Sequence, residues 1–204
     1  MIGQAGEDYL KCIYQLSLEN EIVTPTLVAE YFRISPAAVT KMVKRLKEFN
    51  LIHHERGQGL TLTSPGKKVA LEVLRHHRLI EQYLYQALGY TWDEVHEEAE
   101  RLEHVISETF VEKIDALLGY PTHDPHGSPI PGKNGEIDDV QYPLLSDLEP
   151  GKKAIVRRVG RDDASMLRYI GTLGLYPGAE VDVISKEPYG GPINILVSGK
   201  KRAI

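Results

Sequence analysis

Residues 24–63 read TPTLVAEYFRISPAAVTKMVKRLKEFNLIHHERGQGLTLT, and the helix and strand signals in them predict the architecture of the N-terminal third of the chain. It contains two Ser/Thr-Pro pairs, Thr24-Pro25 and Ser35-Pro36. Each pair places a capping hydroxyl before a proline at the first helical position. The pattern therefore predicts a short helix over 25–32 and a longer one over 36–49. The turn between them is only a few residues long.

The second half of this stretch has the pattern of a β-hairpin. Residues 51–56 and 60–63 form two short strand-like runs, and Gly57-Gln58-Gly59 supplies a tight reversal between them. Two helices joined by a short turn and followed by a two-stranded hairpin are typical of a winged helix-turn-helix. The second helix of that motif enters the major groove of double-stranded DNA.

Side chains of this second helix and of the wing are the candidate DNA contacts. Base edges are read near the N-terminus of such a helix, where this chain has Ser35, Pro36, Ala37, Thr40 and Lys41. Pro36 and Ala37 suit apolar contact with thymine methyl groups. The candidate phosphate contacts are Lys44, Lys47 and Arg56. The alternative is a three-helix packing unit whose basic face is merely solvated.

The distribution of charge supports a DNA-binding segment, although the net charge of the 204-residue chain is −5. Residues 33–68 hold eight Lys/Arg and two Glu, a balance of +6. Residues 69–119 hold four Lys/Arg and eleven Asp/Glu, a balance of −7. A basic segment beside an acidic one indicates a polyanion-binding module joined to a cation-binding one, although two solvated helical faces explain the charges equally well.

Three further helices are expected from apolar spacing and caps. The first covers 6–17. Ser64-Pro65 begin a long helix over 65–88, and Thr91 with Glu94 forms a capping box for another that runs to Gly119. The apolar stripe of that last helix consists of Val95, Ala99, Leu102, Ile106, Phe110, Ile114 and Leu117.

The C-terminal part of the chain has a different pattern. Residues 120–150 are rich in Pro, Gly and Asp, which is typical of a linker or an extended segment. Short β segments then follow at 154–159, 180–185 and 193–197, separated by turns that contain glycine. They predict a small β-barrel, so the whole chain is expected to be mainly α with a small β domain.

Histidine and carboxylate side chains are crowded in the acidic segment. They are His96, Glu100, Glu103 and His104 on one predicted helix face, with His77 and Glu81 one turn apart on the preceding helix. Crowded carboxylates repel one another unless a cation neutralises them, so a metal site and a solvated amphipathic face are equally good explanations. Such a ligand set suits Mn²⁺, and its imidazoles also suit Fe²⁺. A zinc site built on cysteines is disfavoured because no thiols are clustered.

Several classes of protein are disfavoured by composition. No apolar run approaches the roughly 20 residues of a membrane span, and the N-terminus has no secretory signal pattern. Cys12 is the only cysteine, which excludes an intrachain disulfide and makes the cytoplasm the default. A metal-dependent hydrolase lacks support, since neither a Gly-rich phosphate loop nor an HExxH motif occurs. We therefore expect no catalysis, no small-molecule substrate and no membrane partner.

Seven segments together resemble the diphtheria toxin repressor family, and specifically its manganese-transport-regulator branch. They are GEDYLKCIYQL, SPAAVTKMVKRL, GLTLTSPGKK, RHHRLIEQYL, VHEEAERLEH, DPHGSPIPG and LGLYPGAEVDV. The resemblance covers nearly the whole chain, and HxxxExxEH in this order is quite specific. It implies a winged-helix domain (1–68), a helical metal-binding and dimerisation domain with its linker (69–140) and an SH3-like, FeoA-like domain (141–204).

The resemblance also implies a homodimer whose metal ties the first helix to the dimerisation helices. The matching primary ligands are Asp8, His77, Glu100, Glu103 and His104. Iron-sensing members have methionine where this chain has Asp8 and cysteine where it has Glu100, so oxygen ligands here favour manganese. The short, two-domain manganese regulators carry a glutamate where this chain has Lys11, and a cation there should repel a second adjacent metal.

Longer members of the family use a second, separated metal site. The matching residues here are Glu81, Asp124, His126 and an acid from the C-terminal domain, Asp162 or Asp163, with His96 as a further candidate. The C-terminal domain itself can supply a ligand, bind the segment around Pro129–Pro131 or stabilise the dimer. Cys12, one turn from Asp8, is expected to be a buried packing thiol rather than a ligand.

The expected function is a metal-dependent repressor of metal-uptake genes that binds operator DNA. Mn²⁺ is the preferred signal and Fe²⁺ the alternative. Without metal, Asp8 and the Glu100–Glu103 face are expected to repel and to leave the first helix free to move. The competing hypothesis is a winged-helix regulator that responds to a small organic ligand, with the acidic face serving only solubility.

Overall fold

A computed structural model describes residues 2–55, 57–138, 140–160 and 163–204. The chain divides into two compact units, and the division falls within a long helix after His77. The first unit contains residues 1–77 with the short segments 103–106 and 131–136, and the second contains the remainder. Among the described residues, none of the helices has both the length and the apolarity needed to cross a membrane.

The first unit begins with three helices, α1 (Gln4–Glu19), α2 (Pro25–Phe32) and α3 (Pro36–Glu48). The predicted caps are present, because Thr24 Oγ1 accepts a hydrogen bond from Leu27 N at 3.2 Å and Ser35 Oγ accepts one from Ala38 N at 3.3 Å. The apolar sides of the helices meet in a core that includes Leu10, Ile13, Val28, Val39 and Leu46. Burial of these side chains is the main force that holds the three helices together.

The wing follows as an antiparallel hairpin of β1 (Ile52–Glu55) and β2 (Gly59–Leu62). Gly59 has φ 77°, and a Cβ on this residue would collide with the Val23 carbonyl. The close approach lets Leu60 N donate to the same carbonyl at 2.7 Å. The wing is thereby attached to the residues just before α2. Helix α4 (Ser64–Leu88) then begins at the predicted Ser-Pro pair.

The helix expected from Thr91 to Gly119 is wrong, because the structure has two shorter helices there. They are α5 (Val95–Leu102) and α6 (Glu108–Leu117). Ser107 starts the second of them, and its Oγ accepts a hydrogen bond from Phe110 N at 3.3 Å. The sequence pattern missed the break because the apolar stripe continues across it, although Phe110 and Leu117 are exposed.

The C-terminal part of the second unit is a four-stranded antiparallel sheet. Its strands are β3 (Lys153–Ile155), β4 (Glu180–Lys186), β5 (Ile193–Val197) and β6 (Lys200–Ala203), paired in that order. A β-barrel was expected, but the strand pairs in the described part of the chain form an open sheet. Two small apolar clusters pack there, one around Val181, Ile195 and Val197 and one around Trp92, Val159 and Leu167.

One helix of this sheet domain was not predicted. Helix α7 (Ala164–Leu173) lies between β3 and β4. It starts where Asp163 Oδ1 accepts hydrogen bonds from Ser165 N and Met166 N, and it ends at Gly174, which has φ 81°. Both boundary residues are typical of helix ends, so the helix was detectable from its caps even though its apolar pattern is short.

Candidate metal centre and DNA-binding face

A cluster of potential metal ligands in the first unit joins α1 to the turn at 103–106. Asp8, Glu103 and His104 each offer a ligand atom, and these atoms all lie within 4.8 Å of one another. His104 Nε2 lies 2.7 Å from Asp8 Oδ1 and 3.1 Å from Glu103 Oε1. The other ring nitrogen, Nδ1, lies 2.8 Å from Glu7 Oε2. We call Asp8, Glu103 and His104 the primary cluster.

Glu103 is the buried centre of this cluster. Its side chain is 0% exposed, and each oxygen faces a nitrogen. Lys11 Nζ donates to Oε1 at 2.6 Å, and His77 Nδ1 lies 2.5 Å from Oε2. Burial alone would raise the pKa of Glu103, but His77 and Lys11 hold that pKa below its ordinary value. Glu103 is therefore an ionised carboxylate in a fixed orientation, as a metal ligand needs to be.

The pKa values of His104 and Asp8 are both raised, that of His104 by its acidic neighbours and that of Asp8 by burial. Burial lowers the pKa of His104, yet Glu7 and Asp8 more than offset this and raise it above the ordinary histidine value. Burial raises the pKa of Asp8, and His104 and Lys11 offset only part of that rise. Lys11 and His104 thus place positive charge beside the carboxylates of Asp8 and Glu103. The expected repulsion between Asp8 and Glu103 is relieved by Lys11 and His104.

The chemistry of the primary cluster fits a hard or borderline divalent cation. Two carboxylates and one imidazole are donors that Mn²⁺ and Fe²⁺ accept, and no sulfur lies in the set. His77 Nδ1 contacts Glu103 within the first unit, and this contact orients the carboxylate. Glu100 belongs to the second unit, where its Oε1 lies 3.8 Å from His96 Nε2. Cys12 is fully buried, and burial raises its pKa to about 12, as a packing thiol requires.

A second cluster lies entirely within the second unit. Glu81, Asp124 and His126 are all buried, and each offers a ligand atom within 4.8 Å of the other two. His126 Nε2 lies 2.7 Å from the Trp92 carbonyl, so this nitrogen carries the proton. His126 Nδ1 has no hydrogen-bond partner among the described residues and lies 3.9 Å from Glu81 Oε2. That nitrogen faces the cluster, as the ligand atom of a metal-binding histidine does.

The loop that carries Asp124 and His126 is fixed by its own backbone. Asp124 Oδ1 accepts hydrogen bonds from His126 N and Ser128 N, both at 2.9 Å. Gly127 has φ 86°, and a Cβ there would collide with the Arg157 carbonyl. Val159 N donates to the His126 carbonyl at 2.9 Å, which joins the loop to the sheet domain. These contacts fix the positions of Asp124 and His126 within the second unit.

The remaining candidates for the second site have other surroundings. His96 is partly exposed, and its Nδ1 lies 3.3 Å from Glu81 Oε1. Asp163 caps α7, where hydrogen bonds to Ser165 lower its pKa. Asp162 lies outside the described residues. The structure thus brings Glu81, Asp124 and His126 together, places His96 beside Glu81 and assigns Asp163 to a helix end.

The Pro129–Pro131 segment binds arginines of α4. Within the first unit, Arg75 Nη1 donates to the Pro131 carbonyl at 2.7 Å, and within the second unit Arg78 Nη1 donates to the Pro129 carbonyl. Ile130 and Pro131 are buried. The carbonyls of Pro129 and Pro131 are therefore each bound by an arginine of α4.

The candidate DNA contacts lie on the exposed side of α3. Val39, Val43 and Leu46 are buried, whereas the predicted contacts on the opposite side of the helix are exposed. These exposed residues are Ser35, Pro36, Ala37, Thr40, Lys41, Lys44 and Lys47. Thr40 Oγ1 donates to the Pro36 carbonyl at 2.9 Å, so its side chain offers a methyl group and an acceptor to a ligand. Arg56 lies outside the described residues.

Two residues of the metal centre were not predicted as its partners. Glu7 pairs with His104, and Lys11, noted only as a departure from the family pattern, pairs with Glu103. Glu7 could not be recognised as a partner of His104, because an acid next to Asp8 in the sequence adds no helical or strand periodicity. A lysine on the otherwise buried part of α1, between Leu10 and Cys12, was a stronger indication of a buried partner.

A winged helix joined to clusters of carboxylates and imidazoles defines a class of protein, the DNA-binding regulators that respond to a metal ion. Three family models match the chain in series: the iron dependent repressor N-terminal DNA binding domain over 1–60, its metal binding and dimerisation domain over 63–132, and the FeoA domain over 144–204. The chain belongs to the family of the iron-dependent and diphtheria toxin repressors.

Similar proteins include both iron and manganese regulators. The iron-dependent repressor IdeR of Mycobacterium tuberculosis is 33% identical, with 95% of this chain and 88% of the relative covered. The HTH-type transcriptional regulator MntR of Bacillus subtilis is 33% identical over 61% of this chain and 87% of the relative. A manganese-dependent transcriptional repressor solved in complex with manganese is 34% identical, with a TM-score of 0.91, and 98% of this chain and 94% of that chain are covered.

Proposed function

We propose that this chain is a metal-dependent, DNA-binding transcriptional repressor that controls metal-uptake genes. The observation that carries the proposal is the primary cluster, because Asp8 lies on α1 of the DNA-binding unit while Glu103 and His104 lie in a distant segment of the chain. A metal held there connects the two segments directly. The protein acts as a homodimer on double-stranded operator DNA in the cytoplasm, and it regulates transcription rather than catalysing a reaction.

Mn²⁺ is the proposed signal, with Fe²⁺ as the alternative. Both described clusters consist of carboxylates and imidazoles, which suit Mn²⁺. Glu100 and His77 complete the primary ligand set, since both match ligand positions of the family. The relatives include repressors named for iron and for manganese, and the carboxylate-rich ligand set supports the choice of Mn²⁺ as the signal.

The mechanism couples the position of α1 to that of the recognition helix α3. A bound metal would supply a divalent charge. Ligand atoms on α1 and on the 103–106 turn would both bind it. Glu103 is preoriented by Lys11 and His77, and Asp8 is presented by α1. The rings of Tyr9 on α1 and Phe32 on α2 are stacked with centroids 4.8 Å apart, so α1 and the helix-turn-helix move together. With a metal held by these residues, α1 and the 103–106 turn would be tied together, and the dimer would favour the geometry that fits two half-sites.

Each part of the chain has a proposed role. The winged helix (1–68) binds DNA, the helical domain (69–140) dimerises and holds metal, and the C-terminal domain (141–204) stabilises the second metal site. Base contacts come from the N-terminal residues of α3. Phosphate contacts come from Lys44, Lys47 and Arg56.

The direct test is a titration of Mn²⁺, and of Fe²⁺ under anaerobic conditions, into the full chain with labelled operator DNA at fixed salt. Fluorescence anisotropy follows DNA binding, and operator candidates come from binding selection. Operator affinity should rise with metal, and the metal active at the lower free concentration is the signal. Binding that ignores both metals would favour the small-ligand regulator instead.

The second cluster is proposed to bind one further metal ion per protomer. His126→Gln keeps an amide donor for the Trp92 carbonyl but removes the Nδ1 lone pair. We expect the variant to bind one Mn²⁺ per protomer fewer than the wild type, measured by equilibrium dialysis with elemental analysis. His123→Gln, an exposed residue of the same segment, is the control. An unchanged stoichiometry in His126→Gln would refute the second site.

Lys44 is proposed to contact phosphate and not bases. Lys44→Ala should weaken binding to operator DNA and to nonspecific DNA to a similar degree. It should also reduce the slope of log K against log salt by about 0.9 per lost contact. Because a dimer loses two contacts, the expected change is about 1.8. The control is Lys200→Ala, an exposed lysine on β6. A change in base preference without a change in slope would contradict this role.

A further inference from the structure

Lys11 is a buried cation at the primary cluster. Its side chain is 4% exposed, and its ammonium group lies 2.6 Å from an oxygen of Glu103, whose side chain is 0% exposed. Lysine is almost never buried without a charged partner, because removing its charge from water is costly. The pair spans 92 residues of sequence, so it joins α1 to the 103–106 turn by a direct contact.

This lysine already provides the charge that a metal ion would provide to Glu103. Oε1 of Glu103 faces Lys11 and His104, and Oε2 faces His77. The carboxylate is therefore neutralised and oriented before any metal arrives. A metal ion that binds Glu103 must share this carboxylate with a fixed positive charge, and the two cations repel each other at short range.

We propose that Lys11 is a residue that sets the metal affinity of the primary cluster by acting as its permanent counter-ion. It stabilises the metal-free protein by neutralising Glu103, and it weakens metal binding by repulsion. The regulator consequently responds at a higher free metal concentration than the ligand set alone would give. The inference rests on the proposed metal-sensing function.

The opposite role is a lysine that supports the cluster by orienting Glu103 for the metal. The two roles predict effects of opposite sign when the charge is removed. If Lys11 is a competing cation, a neutral residue raises metal affinity. If it only orients the ligand, a neutral residue lowers metal affinity, because Glu103 is released.

The test compares Lys11→Gln and Lys11→Met in the full-length protein. Glutamine keeps an N–H donor for Glu103 without the charge, and methionine keeps most of the unbranched side chain without the donor or the charge. Mn²⁺ affinity is measured by calorimetry, and thermal unfolding of the metal-free protein by circular dichroism. Lys200→Gln, an exposed residue of β6, controls for the change in net charge.

We expect Lys11→Gln to bind Mn²⁺ about tenfold more tightly or better, as removal of a unit charge at this range implies. Lys11→Met should unfold at a lower temperature without metal and should be stabilised more by Mn²⁺ than the wild type. An unchanged or weaker Mn²⁺ affinity in Lys11→Gln would overturn the inference. If the wild type itself binds no Mn²⁺, the proposed function fails instead, so the two failures are distinguishable.

Discussion

Replacing Asp8 by asparagine should remove most of the metal-dependent gain in operator affinity. Asp8 is the proposed metal ligand that α1 contributes to the primary cluster, and asparagine keeps its size while losing its charge. The variant protein should fold, since Asp8 is partly exposed and lies outside the core. The metal-dependent gain is expected to fall by about 10- to 100-fold, the scale of allosteric couplings in proteins. Anisotropy of labelled operator DNA at saturating and at zero Mn²⁺ measures it.

The matched control for Asp8→Asn is Glu19→Gln, an exposed acid on the same helix. It changes the net charge by the same amount and should leave the metal response intact. A full metal response in Asp8→Asn would show that α1 does not take part in the switch. The coupling mechanism would then be wrong even if the protein bound both metal and DNA.

The second large effect is expected from Ala37→Asp on the recognition helix. Ala37 is exposed at the second position of α3, where an acidic residue is compatible with the helix dipole. A carboxylate there faces the base edges and the phosphates of the major groove, where it is repelled and loses its hydration. Operator affinity at saturating Mn²⁺ should fall by about 100-fold, which matches the upper range for one disrupted base contact.

The control for Ala37→Asp is Ser165→Asp, which adds the same charge at the second position of α7. Both variants should keep wild-type Mn²⁺ binding by calorimetry and wild-type helix content by circular dichroism. If Ala37→Asp bound the operator as tightly as the control does, α3 would not be the helix that enters the groove.

The winged helix was predictable because short-range chemistry fixes it. The capping hydroxyls of Thr24 and Ser35 mark helix starts that the structure confirms, and the glycines between the strands mark the hairpin. These capping and turn interactions act within four residues of one another, so they can be recognised directly from the sequence.

The metal centre was only partly predictable, because its geometry depends on a break that the periodicity concealed. Glu103 and His104 were expected to lie on a continuous helix, but α5 ends at Leu102 and the two residues lie in a turn. In that turn Glu103 contacts Lys11 and His77, and His104 contacts Glu7 and Asp8. Three of these four contacts, those of Lys11, Glu7 and Asp8, span more than 90 residues of sequence and leave no periodic pattern in it.

In the proposed switch, metal binding and operator binding are coupled through one protein. Thermodynamic linkage requires the coupling to be reciprocal. The most direct measurement is therefore the Mn²⁺ dissociation constant with and without saturating operator DNA, determined by calorimetry at fixed salt. We expect operator DNA to tighten Mn²⁺ binding by the same factor by which Mn²⁺ tightens operator binding, about tenfold or more. Equal Mn²⁺ affinities with and without the operator would contradict the coupling of metal binding to operator binding.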